Sequence, residues 1–333
     1  MPSRSLRRLL VLPMIASAVV MSTALAPAAS ATTHGFVGEP EALGTFSHVD
    51  DVAVDAVTGR LWFQADGALT VVDGTDLRIL TRVASGWDLL AMDPLSRFAV
   101  ARDGDDLVRI SLDRMTETAR ATLPIGEVDI DPLHHRLVGI QHDTTDDCIV
   151  VVDEATLAIT ARQCFTEVAH VEFDVHADAV IATVLTGGRR VLATFDSATV
   201  LNRVDLVSTT PDLPFGSVIQ TWHVDRSTRT LVMEITDPTS ASSTYVVYDL
   251  RRREAVTAFP LRGAIAAPFL IGADSTIIQL TGSSVSVIDT RTGAERQVLP
   301  LARRPRGAVI DASSGDLYLL YAFTPSALRV AWS

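Results

Sequence analysis

From Phe46 onward, apolar and polar residues alternate with a period of two in short runs, each punctuated by aspartate or glycine. That period belongs to half-buried β-strands. Arg60–Ala65 and Ala68–Val72 predict two strands joined at Asp66-Gly67, a strong tight-hairpin signal. A more polar strand over Thr75–Val83 follows. The same order returns as Arg97–Arg102, Leu107–Leu112 and Thr116–Leu123, and again as Arg136–Gln141, Cys148–Val152 and Thr156–Cys164. Each set is preceded by an apolar strand ending at a turn: Val54-Asp55, Met92-Asp93, Ile130-Asp131, Phe173-Asp174, Val224-Asp225, Ile271-Gly272 and Ile310-Asp311.

A repeat of about 40 residues holding four short strands is a β-propeller blade. Seven openings predict an all-β chain with a single seven-bladed β-propeller of four-stranded antiparallel blades over residues 41–333. The last copy is short. Asp316–Tyr321 and Leu328–Trp332 supply two strands, and the sequence ends at Ser333 with no outer strand. Glu41–Phe46 has the character of an outer strand and is expected to pair with the last blade, closing the ring. Closure protects edges that would otherwise template aggregation. The aspartates that close the first six copies (Asp73, Asp113, Asp153, Asp196, Asp249, Asp289) precede tight turns, so they are read as backbone caps.

The first residues depart from this pattern. Arg4, Arg7 and Arg8 precede a mostly apolar stretch from Leu9 to Leu25, and Ala29-Ser30-Ala31 offers small residues for cleavage. Residues 1–31 are therefore expected to be a cleaved signal peptide, with 32–40 a flexible leader. The Arg7-Arg8 pair raises twin-arginine export, but Leu6 sits where that motif prefers a polar residue, so general secretion is favoured. No later run approaches the ~20 apolar residues of a membrane helix. The expected product is a secreted, extracytoplasmic monomer without a membrane span.

Charge narrows the partners. The chain has 28 basic and 40 acidic residues, and loss of the three signal arginines leaves 25 against 40, a net charge of −15. Such a chain is repelled by nucleic acid and anionic membranes, so neither is an expected partner. All basic residues are arginine. The absence of lysine excludes Schiff-base chemistry on the chain and a Walker-type phosphate loop.

Cys148 and Cys164 are the only cysteines and bracket a hairpin whose turn follows Asp153, so they are expected to face each other as a disulfide. The pair should sit at the end of its blade away from Asp153, beside the acidic loop His142-Asp143-Thr144-Thr145-Asp146-Asp147. That loop, together with Glu127 and His170 at inner-strand entries, forms the candidate ligand-binding set: Glu127, His142, Asp143, Asp146, Asp147 and His170. Asp51, Glu167, His48 and His223 are placed near the same end of the ring. Within the set, Glu127, His142 and His170 are the candidate ligands for a divalent metal, since mixed oxygen and nitrogen donors suit transition metals. The plainer reading is a solvated acidic loop beside an inner-strand histidine satisfied by its neighbours. Trp87 and Trp222 are read as packing residues.

The chain contains no G-x-S-x-G elbow, no H-E-x-x-H helix and no G-x-G-x-x-G turn. The strand-Asp-x-x-x-Gly-x-Leu openings at Asp55–Leu61 and Asp311–Leu317, and the segment Val-Ile-Asp289-Thr-Arg-Thr-Gly293, resemble secreted YVTN-type repeats, related to the lactonase-like and amine-dehydrogenase heavy-chain propellers. The resemblance spans 41–333, rests on blade structure, and carries over no catalytic residue. The expectation is a non-enzymatic ligand-binding or protein-interaction module whose partner is an unidentified protein or small molecule. The alternative is a lactonase-like hydrolase or lyase, metal-assisted through the same three residues.

Overall fold

The computed structural model describes residues 36–42, 46, 49–74, 78–186, 188–206, 218–237, 242–260, 269–272, 275–311, 314–321 and 327–332. The described strands form seven four-stranded antiparallel sheets. In each of the first six blades, four consecutive strands run from the channel outward; in blade 1 these are Val49–Asp55, Arg60–Ala65, Ala68–Asp73 and Ile79–Ser85. The innermost strands of blades 2 to 6 are Asp88–Asp93, Ile125–Asp131, Glu167–Asp174, Val218–Asp225 and Phe269–Gly272. Blade 7 combines Gly307–Ile310, Leu317–Leu320 and Ala327–Trp332 with an outer strand from the other end of the chain.

That closing strand is Phe36–Ala42, about five residues earlier than the sequence pattern places it. Phe36 pairs with Trp332 and Ala42 with Leu328. Residues 36–40, expected to be leader, are thus part of the sheet. Two anchors account for the shift. The Phe36 ring meets Trp332 edge-on at 4.9 Å, while Gln297 of blade 6 both donates to the Phe36 carbonyl and accepts its N–H, each at 2.8 Å. Phe46 leaves the strand altogether and packs on Phe63 at 5.1 Å. Residues 1–31, where a signal peptide is expected, and Thr32 and His48 lie outside the described residues.

The core consists of seven apolar clusters among the described residues, one at each blade-to-blade interface. Trp62, Leu69 and Val71 of blade 1 meet Leu89, Ala99 and Val108 of blade 2. The last cluster sets Tyr318, Leu320 and Ala327 of blade 7 against Val49, Val52 and Phe63 of blade 1. Each sheet is therefore buried on both faces, which explains why middle strands such as Cys148–Val152 read as unbroken apolar runs.

Of the closing aspartates, Asp153, Asp196, Asp249 and Asp289 cap backbone amides of the turns they begin, whereas Asp113 accepts from the Arg97 guanidinium. Opening aspartates cap in the same way. Asp93 accepts the Leu95 and Ser96 amides, Asp225 those of Ser227 and Thr228, and Asp289 those of Arg291 and Thr292. Four residues after each opening aspartate the chain takes a positive φ, at Gly59, Arg97, His135, Asp178, Arg229 and Gly315, and in blade 6 it does so three residues after Gly272, at Ser275. Only two of the seven are glycine, and at Arg97 and Arg229 a contact to the preceding blade holds the residue in this conformation. Arg97 reaches back to Asp55 of blade 1 at 2.6 Å, and Arg229 to Asp174 of blade 4 at 3.2 Å. Cys148 and Cys164 form the disulfide, directly opposite each other across the third and fourth strands of blade 3 and away from the Asp153 turn.

Candidate functional site

The inner strand is the free edge of every blade, so its outward amides need partners. In blades 4 and 5 carboxylates of the preceding blade supply some of them. Glu127 accepts the Val171 amide at 3.1 Å, Asp129 the Phe173 amide at 2.7 Å and Glu172 the Val224 amide at 2.9 Å. This arrangement follows from alternation along the strand. Glu127 and Asp129, His170 and Glu172, and Thr221 and His223 lie two residues apart, so each pair shares one side of its strand. A register shift just before Glu127, His170 and Thr221 lies at the same place in all three inner strands.

The side chains then meet across blade boundaries. His170 pairs through Nδ1 with Glu127, and its Nε2 lies 2.9 Å from Oε1 of Glu172. The same Glu172 oxygen lies 2.9 Å from Nδ1 of His223. Arg226, in the turn after the blade 5 inner strand, reaches past blade 4 to Asp129 at 2.5 and 2.8 Å. An aromatic shell holds the imidazoles: Trp222 meets His170 at 4.5 Å, and Phe269 meets His223 at 5.1 Å. Trp222 itself is buried and donates to Thr183 at 2.7 Å, which makes it a packing residue.

Burial works against charge on His170, but its bonds to Glu127 and Glu172 prevail and push its pKa up to about 10. Burial likewise works against ionisation of Glu172, and the two imidazoles overcome it, bringing its pKa down to about 2. These groups face a cavity of about 470 Å³ in the channel. One wall carries Glu127, Asp129, His170, Glu172, His223 and Arg226; the other, from blades 6 and 7, is apolar with Leu270, Ile271, Ala308, Val309 and Ile310.

The architecture fixes what this chain resembles. No protein-family model and no curated protein matches it. Among solved structures, it is similar to hydrazine synthase of Kuenenia stuttgartiensis, with a TM-score of 0.66 at 11% identity over 89% of this chain and 99% of that one. The β-propeller domain of Myceliophteria thermophila Cps50 (Swd1) gives 0.67 at 12% identity, over 90% and 99%. The WD40 propeller of Doa1 gives 0.60 at 11%, over 87% and 95%. The fold is a seven-bladed, WD40-like β-propeller. At these identities the likeness is one of fold alone.

The structure joins some of the sequence-predicted residues and separates others. Glu127 and His170 are in direct contact. His142 is exposed and bonds Asp147 at 2.7 Å instead. Asp147 also accepts the Val168 amide; burial disfavours its charge, but His142 and that amide keep its pKa below the usual range. The acidic loop is folded onto itself. Asp143 accepts the Thr144 amide at 2.8 Å and donates its own N–H to the Asp146 carbonyl, while the Asp146 carboxylate accepts from Thr145. Glu167 pairs with Arg190.

Sequence reasoning overlooked Asp129, Glu172 and Arg226. A signal was present in Glu127-x-Asp129-x-Asp131, His170-x-Glu172-x-Asp174 and His223-x-Asp225, where polar residues alternate within strands that should be buried. A second cluster, Asp131, His134 and Asp178, lies at the opening turns. Arg136 bonds both of its carboxylates, at 2.8 and 2.5 Å, and offsets half of their charge.

Proposed function

We propose that this propeller is a secreted, non-enzymatic binding module that takes a small ligand into the channel between blades 3 and 7. The observation that carries the reading is the division of one cavity into an ionisable wall and an apolar wall. A ligand with a polar end and an apolar body matches both walls, and sites of this kind combine apolar lining with a few placed polar groups. Export is supported by the basic and apolar N-terminal segment and by the Cys148–Cys164 disulfide. A thermal-shift screen of the mature chain against small amphiphilic carboxylates, amines and sugars tests the reading. Compounds that raise the melting temperature of the wild type should lose that effect in Val309→Trp, which fills the cavity from its apolar side. Hits that persist in this variant place binding elsewhere.

A hydrolase is the second reading, favoured by one observation: His170 is held between two carboxylates at the cavity wall, where an imidazolium can offset negative charge developing on a bound substrate. Turnover of a lactone panel that disappears in His170→Gln would move the function to this class.

A further inference from the structure

We propose that His170, Glu172 and His223 form a binding site for a first-row transition-metal dication of the zinc class. The inference deepens the channel reading above, because the ion would sit in the wall of the same cavity.

Four features converge on these residues. The donor atoms lie within 4.8 Å of one another, and the Glu172 oxygen is 2.9 Å from both imidazole nitrogens. Metal–ligand bonds of ~2.0–2.1 Å place neighbouring donors about 3 Å apart, so little movement is needed to close on an ion. Two imidazoles and one carboxylate are a donor set that borderline metals prefer over calcium or magnesium. The outer contacts are also in place. Glu127 holds Nδ1 of His170 and so directs Nε2 toward the shared point, as the carboxylate–histidine–metal arrangement requires. Glu172 Oε2 is engaged by the Val224 amide, which leaves Oε1 facing the histidines. Charge agrees as well. Counting the imidazoles as the neutral ligands a metal requires, Glu127, Asp129 and Glu172 against Arg226 leave a charge of −2 on the wall, complementary to a dication. The cavity beside the three donors leaves room for water or a ligand to complete the coordination.

The test uses the mature chain, stripped with EDTA and dialysed, then titrated with Co²⁺ by absorption and Zn²⁺ by calorimetry. One equivalent should bind, with a dissociation constant in the micromolar range or tighter. His223→Gln and Glu172→Gln should each weaken it by about 100-fold or more. Glu127→Gln, acting through His170, should weaken it about 10- to 100-fold. Asp178→Asn, in the Arg136-bonded cluster at the opening turns, should bind as the wild type does. Circular dichroism and melting curves identify variants that remain folded, and the glutamine substitutions retain most of the shape. Absence of saturable binding to folded wild type overturns the site. So does unchanged affinity in the folded His170→Gln/His223→Gln double variant, or loss of binding in folded Asp178→Asn. Val309→Trp separates this inference from the previous one. It should abolish small-molecule binding while leaving one equivalent of Co²⁺ bound. Small-molecule binding without metal uptake would remove the metal and keep the module; metal uptake without any channel ligand would do the reverse.

Discussion

At the residue scale, single atoms decide whether the channel wall keeps its shape. Gly139 lies opposite Val128 in the second strand of blade 3. A methyl group there would lie 2.6 Å from the Glu127 carbonyl and 2.5 Å from Ile125. Gly139→Ala should therefore cost about 1–3 kcal/mol, the usual penalty for overpacking, read as a lower urea midpoint with an unchanged slope. It should also displace Glu127 from His170. The paired charges make a second prediction, for the metal-free protein in EDTA. The His170 pKa is raised from 6.5 to about 10, so its stabilising contribution is complete below 6.5 and is lost as pH climbs through about 10. Glu172 is lowered from 4.5 to about 2, so its contribution is complete above 4.5 and disappears as pH falls through about 2. The stability gap between wild type and His170→Gln should be widest near pH 4.5–6.5 and narrow toward pH 10. A gap that widens on the alkaline side would refute the pairing.

At the element scale, the ring depends on one strand and one staple. Gln297 is the side chain from blade 6 that bonds both backbone groups of Phe36 in the closing strand. Gln297→Ala removes both bonds, and at about 1 kcal/mol each it should lower stability by about 1–3 kcal/mol. Deleting the chain through Ala42 should do far more, because it exposes the edge of Ala327–Trp332; light scattering on heating should then report aggregation well before the wild type. The Cys148–Cys164 bridge closes a loop across 16 positions. On the chain-entropy account its loss in a Cys148→Ser/Cys164→Ser variant costs about 3 kcal/mol, checked by denaturation with and without reductant. The bridge and the hairpin it clasps were both legible in the sequence, because the spacing around Asp153 pairs the two positions. The closing strand was legible as a need but displaced in position, since alternation over a few residues does not distinguish Phe36–Ala42 from Glu41–Phe46. The partners that decided it, Trp332 and Gln297, lie about 260–300 residues away.

At the scale of the whole molecule, the amino-acid sequence by itself determined the architecture: the period-two runs, the aspartate turns and the seven openings require seven four-stranded blades. Those signals are local, because strand alternation and turn chemistry act over a few neighbouring residues. Sequence also placed Glu127 and His170 at inner-strand entries. Only the tertiary structure decided what they meet. The curvature of the ring brings three consecutive inner edges together, so Glu127, His170, Glu172 and His223 form one chain of contacts across blades 3 to 5, while Arg226 reaches Asp129 over 97 positions. His142 follows the opposite course. Its neighbour in space, Asp147, is also its neighbour in sequence, and this short-range bond holds it at the exposed loop. Blade structure is written in nearest neighbours, whereas the channel wall is made by closing the circle.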